Sequence, residues 1–116
     1  MNKKDKLPAY LGFCARAGQI RKGYNTCLSL IDSGKVKLLI VAEDCSENTK
    51  KKFSQKCRSS GTDFRIFGQA ENLSRMTGCG KNGVYAVMDR NFANVIRVEI
   101  DRKQSEGVVV NDKEGN

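Results

Sequence analysis

The sequence predicts an α/β protein, a three-layer α/β/α sandwich on a central mixed sheet of about four strands. Three observations carry this. Segments with apolar residues at helical spacing alternate with short apolar runs of strand length, from the first residues to about residue 100. Glycines at 18, 34, 61 and 78 stand where helical patterns stop. Leu38, Leu39, Ile40, Val41 and Ala42 form an unbroken apolar run, as expected of a strand covered on both faces.

The elements follow in order. Leu7, Tyr10, Leu11, Cys14 and Ala15 recur at helical spacing, predicting a first helix over about 6–17, with Pro8 tolerated in its first turn. Gln19, Ile20 and Arg21 form a short extended piece. A second helix spans about 23–33, with Tyr24, Cys27, Leu28 and Ile31 on its apolar face and Gly34 as its stop. After the strand at 38–42, Ser46 is placed to cap a third helix. That helix turns Thr49, Phe53 and Cys57 inward and Lys50, Lys51, Lys52 and Lys56 mostly outward. Gly61 breaks it. A strand over 64–67, a short helix carrying Ala70, Leu73, Met76 and Thr77, and a strand over 84–88 follow. The last helix spans about 91–100 and buries Phe92, Ile96 and Ile100. Residues 1–100 therefore form one domain, and 101–116 read as a flexible tail, with Val108, Val109 and Val110 able to add an edge strand in an assembly.

Charge is distributed unevenly. Residues 1–60 hold 13 Lys/Arg against 5 Asp/Glu, whereas residues 61–116 hold 8 of each. The whole excess of +8 lies in the first half, which points to one basic surface. No run is apolar enough to span a bilayer, and the start does not read as a signal peptide, so the expected compartment is the cytoplasm. The absence of histidine removes His-based triads, His metal sites and the commonest general base. Five cysteines, at 14, 27, 45, 57 and 79, contain no Cys-x-x-Cys pair, so they read as small hydrophobes in a reducing compartment, and no metal or other cofactor is expected.

Four local patterns merit weighing. Arg21, Lys22, Gly23, Tyr24 and Asn25 open the second helix. Gly23 lets a ligand's backbone approach, Asn25 offers a planar amide and Lys22 a point charge, a set suited to a phosphate backbone and base edges. An ordinary glycine-started helix with solvated charges is the plain alternative. The lysines at 50–52, with Lys56 and Arg58, read first as a solvated helix face and second as a steering surface for RNA. Gly78, Cys79, Gly80, Lys81, Asn82 and Gly83 match Gly-x-Gly-x-x-Gly. A helix precedes and a strand follows, the reverse of a dinucleotide site, so this is a binding loop rather than a Rossmann turn. Glu43 and Asp44 end the central strand and read as structural groups at a helix start.

Together these residues resemble the kink-turn RNA-binding superfamily of ribosomal proteins, which includes archaeal L7Ae, and most nearly its bacterial YlxQ-type branch. The resemblance rests on Leu11 to Gln19, on Lys22-Gly23-x-Asn25, on Ser33-Gly34-Lys35 and on Leu38 to Lys52 with Cys57. It extends over roughly 7–96. It implies the same three-layer fold, and RNA seated against the start of the second helix and the loop before residue 84. Gly23 and Asn25 match the family's RNA-contacting motif and Lys22 its preceding basic position. Asn25 would read a sheared G·A step, and the loop 79–82 would lie over splayed bases. Two departures bear on specificity. Thr26 stands where the family carries Glu, and Ser29 where it carries Lys. Lys81 and Asn82 replace an apolar pair. General RNA binding tolerates these changes better than kink-turn specificity does.

The expected protein is thus a small, non-enzymatic, ribosomal-protein-like RNA binder. Lys22, Gly23 and Asn25, flanked by Arg21, Thr26 and Ser29, form the centre of its site. Arg16, Lys35 and Lys37 form the electrostatic surround, and Gly78, Cys79, Gly80, Lys81 and Asn82 the second wall. Structured RNA, ribosomal RNA first, is the expected partner, with ribosomal proteins second, and neither a membrane nor DNA. Two alternatives are a protein-docking module of the same fold, using Tyr24 and the tail valines, and an enzyme acting on a phosphorylated small molecule, for which no general base is in view.

Overall fold

Strand order, more than any single element, positions the site. The computed structural model describes the backbone of residues 5–80 and 82–115, and the side chains of residues 5–80 and 82–105. Its elements are α1 (Leu7–Arg16), β1 (Ile20–Lys22), α2 (Tyr24–Asp32), β2 (Leu38–Val41), α3 (Glu47–Ser60), β3 (Asp63–Ile66), α4 (Ala70–Thr77), β4 (Val84–Val87) and α5 (Arg90–Gly115). The sheet runs β1-β4-β2-β3. β4 is antiparallel to both β1 and β2, and β2 is parallel to β3. The predicted mixed four-stranded sheet is therefore present.

Alternation along the two central strands divides the core. Leu38, Ile40, Tyr85 and Val87 face a layer made by α1, α4 and α5. Leu39, Val41, Val84 and Ala86 face the other layer, where Cys27 and Ile31 of α2 meet Phe53 and Cys57 of α3. This is the three-layer sandwich that the alternating pattern predicted. Ser46 caps α3 as expected, its Oγ accepting from the Thr49 N–H at 3.1 Å, a contact of about 1 kcal/mol. Asp44 also serves a helix start, but that of α4: its Oδ1 accepts from the Ala70 N–H at 2.9 Å.

The C-terminal expectation needs correction. The break placed at Asp101 is absent, and α5 continues to Gly115. Long-range partners hold the continuation down. Asp101 receives both Arg65 Nε and Nη2, at 2.6 and 3.0 Å. Lys103 Nζ reaches Asp5 at 3.0 Å, and Gln104 Nε2 donates to the Ile66 carbonyl at 2.8 Å. The backbone of Val108, Val109 and Val110 belongs to this helix rather than to an edge strand, and their side chains lie outside the described residues. Phe92, predicted buried, is half-buried at the margin of the α1/α4/α5 core.

Candidate nucleic-acid interface

The start of α2 is set by backbone geometry. Lys22 ends β1, paired in register with Tyr85 of β4. Gly23 then bonds its N–H to the Val84 carbonyl at 3.1 Å. Its φ of 104° and ψ of 147° lie in a region that is essentially restricted to glycine. This sharp turn starts a helix at Tyr24 whose first turn has no side-chain cap. The amide groups there remain directed outward, toward the partial positive end of the helix dipole. Asn25, Thr26 and Ser29 are all exposed, and Gly23 is half-exposed.

The loop before β4 lies beside this tip. A methyl placed on Gly80 would be 3.3 Å from Lys22 Nζ, so the ammonium rests against the loop backbone. Asn82 Nδ2 donates to the Gly80 carbonyl at 3.3 Å, and the Tyr85 hydroxyl donates to the same oxygen at 3.1 Å. Burial raises the Tyr85 pKa above its ordinary value, which keeps the hydroxyl a donor. Gly78 closes α4 in the left-handed conformation. The Cys79 side chain is half-buried against the core, while its carbonyl accepts from Ser74 Oγ at 2.7 Å. Cys79 thus anchors the loop, and Gly80 and Asn82 are its exposed members. Lys81 lies outside the described residues.

The remaining predicted cations are placed elsewhere. Arg21 is exposed, but its guanidinium turns back to the Gly18 carbonyl, at 2.5 Å. Arg16 lies at the end of α1, over the Phe13 ring at 5.0 Å from the centroid. The connection that follows runs to Gln19, whose carbonyl accepts from Met88. Lys37 bonds its N–H to the Val87 carbonyl at 2.9 Å. Gly34, Val36 and Lys37 share a shallow hollow with Gly61, Asp63 and Arg90. Lys35 and Lys37 therefore sit near the Val87 end of β4, roughly 10 Å of strand from the Val84 end where Gly23 and the loop meet, whereas the Arg16 guanidinium turns back over Gly12, close to the Met76 carbonyl in the last turn of α4. The structure does not gather Lys35 and Lys37 into a surround. The tip is also less basic than expected, since exposed Glu43 lies at the same end of the sheet and accepts from Gln69 at 3.4 Å.

Two supports escaped the sequence reading. Gly83 is buried with φ of 80°, and a Cβ there would fall 2.6 Å from Cys45 Sγ. Tyr85, 1% exposed, holds the loop from inside the sheet. The terminal glycine of the 78–83 run and a tyrosine at the second position of a buried strand were the available signals. Among the described residues, no group of three or more Cys, Asp or Glu is gathered to hold a metal. Nor is any helix there long and apolar enough to cross a membrane.

Comparison with known proteins gives a consistent picture. The chain is 32% identical over 84 residues to an RNA-binding protein YlxQ of Bacillus subtilis (strain 168), covering 72% of this chain and 84% of the relative. It is 33% identical over 91 residues to an RNA-binding protein YlxQ of Enterococcus faecium, covering 78% and 86%. Among solved structures, a protein with unknown function from Bacillus halodurans C superposes with a TM-score of 0.81 at 31% identity, covering 84% of this chain and 99% of that one. A Giardia lamblia 15.5kD RNA binding protein superposes with a TM-score of 0.69 at 19% identity, covering 90% and 92%, a likeness of fold. The family model described as ribosomal protein L7Ae/L30e/S12e/Gadd45 matches residues 5–97, and the chain belongs to that family.

Proposed function

We propose that this chain is a small, non-enzymatic RNA-binding protein that seats structured RNA across the tip of α2 and the adjoining loop. One observation carries the reading: Lys22, which leads into the Gly23 turn and the exposed Asn25, rests its ammonium against the loop at Gly80, 58 residues away in sequence. The uncapped helix start supplies N–H groups and a favourable dipole for phosphate. The glycine turn permits close approach, and the exposed Asn25 amide can both donate and accept at a base edge. The relatives named as RNA-binding proteins support the same class of ligand.

In this reading the partner is ribosomal or similarly folded RNA in the cytoplasm, and ribosomal proteins are secondary neighbours. Thr26 and Ser29 are exposed on α2, so neither the Glu nor the Lys of the kink-turn pattern faces the ligand. The chain accordingly binds kink-turns as one class of structured RNA rather than exclusively. An electrophoretic titration against a kink-turn hairpin tests the site. Asn25→Ala removes up to two hydrogen bonds worth about 1–3 kcal/mol together, so affinity falls about 5- to 150-fold. Equal affinity for wild type and Asn25→Ala would remove the specific site.

A further inference from the structure

Half of the chain's excess charge of +8 sits on one helix. α3 carries Lys50, Lys51, Lys52, Lys56 and Arg58 against the single carboxylate of Glu47. Two of these cations are paired: Lys50 Nζ lies 3.3 Å from Glu47, and Lys56 Nζ lies 2.7 Å from Asp32 of α2. Lys51, Lys52 and Arg58 are exposed, and among the described residues no carboxylate pairs with any of them. Phe53 and Cys57 mark the buried side of the helix, so the unpaired cations share its outer face with Gln55 and Ser59. A face built for solubility alone intersperses both signs. This one carries a single sign, with Lys52 and Lys56 a like-charged pair one turn apart.

Position and surroundings narrow what such a face can hold. β2 ends at Val41, which pairs with Val84, and the Val84 carbonyl receives the Gly23 N–H. α3 therefore starts at the end of the sheet that carries the Gly23 turn, and Tyr24 of α2 meets Phe53 in the first half of α3. Lys51 and Lys52 lie in that same half. A shallow hollow opens on each flank of them. Asn48, Lys51, Ser54 and Ile66 line one, together with the Glu47–Lys50 pair, and Lys52, Gln55, Lys56 and Ser59 line the other. Ammonium, amide and hydroxyl groups are those that hold phosphate and sugar oxygens. The large apolar side chains exposed among the described residues, Phe13, Tyr24, Val95 and Val98, all lie outside α3. A helix that lies on a membrane needs an apolar face to insert. Protein interfaces are depleted in lysine and anchored by buried aromatic or arginine side chains. The complementary occupant is a polyanion, and RNA is the polyanion placed at the neighbouring tip.

We propose that the Lys51/Lys52 face of α3 is a second RNA contact, which holds the phosphate backbone of a helix flanking the segment seated at the tip. This rests on the RNA-binding reading above. The contact is independent of sequence, because these side chains reach phosphates rather than base edges. Each lysine that takes a phosphate releases a condensed counterion, so added salt weakens the contact. The bound anion also relieves the mutual repulsion of the lysines.

The test uses the full chain with two probes: a kink-turn hairpin with short stems, and the same hairpin with one stem lengthened by a helical turn. The wild type binds the longer probe more tightly. The double variant Lys51→Gln/Lys52→Gln keeps good helix formers at exposed sites, so it melts as the wild type does and binds the short probe within about 2-fold of it. On the long probe its salt slope falls by about 2, so its deficit grows about 3- to 4-fold each time the salt is halved. Lys35→Gln/Lys37→Gln removes the same charge from the other end of the sheet and leaves the slope unchanged. In the unaltered protein the long probe shields Lys51 and Lys52 from acetylation, read by mass spectrometry, and the short probe does not. A wild-type slope in the α3 variant, equal loss on both probes, equal loss in the Lys35/Lys37 variant, or free acetylation in the long complex overturns the contact and leaves this face to solvent or to an acidic protein. If the wild type binds neither hairpin, the RNA-binding reading itself fails. Binding that Asn25→Ala weakens on both probes and the α3 variant leaves intact rejects the second contact alone.

Discussion

Gly83 gives the most quantitative prediction. The loop 79–82 enters β4 through this residue, which is buried at φ of 80° with its carbonyl accepting from the Ala42 N–H at 2.8 Å. Gly83→Ala incurs two separate costs. The left-handed backbone costs a non-glycine residue about 1–2 kcal/mol. The new methyl would also lie 2.6 Å from Cys45 Sγ, far inside contact distance, and overpacking of this kind costs about 1–3 kcal/mol. The total is about 2–5 kcal/mol, or a Tm lowered by roughly 8–20 °C for a domain of this size. The two contributions are separable, because the other neighbours, Ala42 Cβ and Ala70 Cβ, stand at an ordinary 3.9 Å. In a Cys45→Ala background the clash is absent and only the backbone cost remains, so the two substitutions couple favourably by about 1–3 kcal/mol. Urea melts of the wild type, both single variants and the double variant measure this. A Gly83→Ala protein as stable as wild type would refute the argument. Strict additivity with Cys45→Ala would refute the assignment of the clash.

Gly23→Ala costs about 1–3 kcal/mol through its backbone region alone; since only Thr26 Oγ1 approaches its Cβ position, at 3.9 Å, Thr26→Ala gives no rescue in the same melts. Hydrogen bonding from Arg65 holds the Asp101 carboxyl below its ordinary 3.8. The unfolded chain therefore binds this proton more readily, and the stability it contributes is present above about pH 4 and lost as pH falls through the lower folded-state value; Asp101→Asn flattens that part of the pH–stability profile. Burial pushes the thiols of Cys14 and Cys27 up to about 12 and that of Cys57 to about 11. Burial raises the Cys45 thiol as well, so an aromatic disulfide reagent at pH 7.5 labels the half-buried Cys79 first and Cys45 more slowly in native protein, and reaches all five cysteines in urea. Lys22→Gln reduces the salt slope of RNA binding by about 1, read from titrations at several salt concentrations.

The sequence carried the layers and the α2 tip because those rest on local signals. The apolar run at 38–41, the Ser46 cap and the glycine stops each act within a few residues. What it missed depends on distant partners. Asp101 meets Arg65 across 36 positions and Lys103 meets Asp5 across 98, so nothing local at 101 announces that the helix continues. Lys35 and Lys37 are close to Lys22 in the chain, but β2 runs antiparallel to β4, and this register carries them to the far end of the sheet. A charge count cannot distinguish those two ends. Periodicity places Tyr24 on the apolar face of α2 with Cys27 and Ile31, but at the helix's first residue that face is only partly covered, and Tyr24 meets Phe53 of α3 edge-on while staying exposed.

The central claim is that RNA meets one end of the sheet, and amide chemical-shift mapping addresses it directly. On titration of the 15N-labelled chain with a structured RNA hairpin, the largest shifts should fall on residues 22–26 and 78–83, with residues 34–37 nearly still. Shifts concentrated at the Val87 end, around Lys35 and Lys37, would contradict the account.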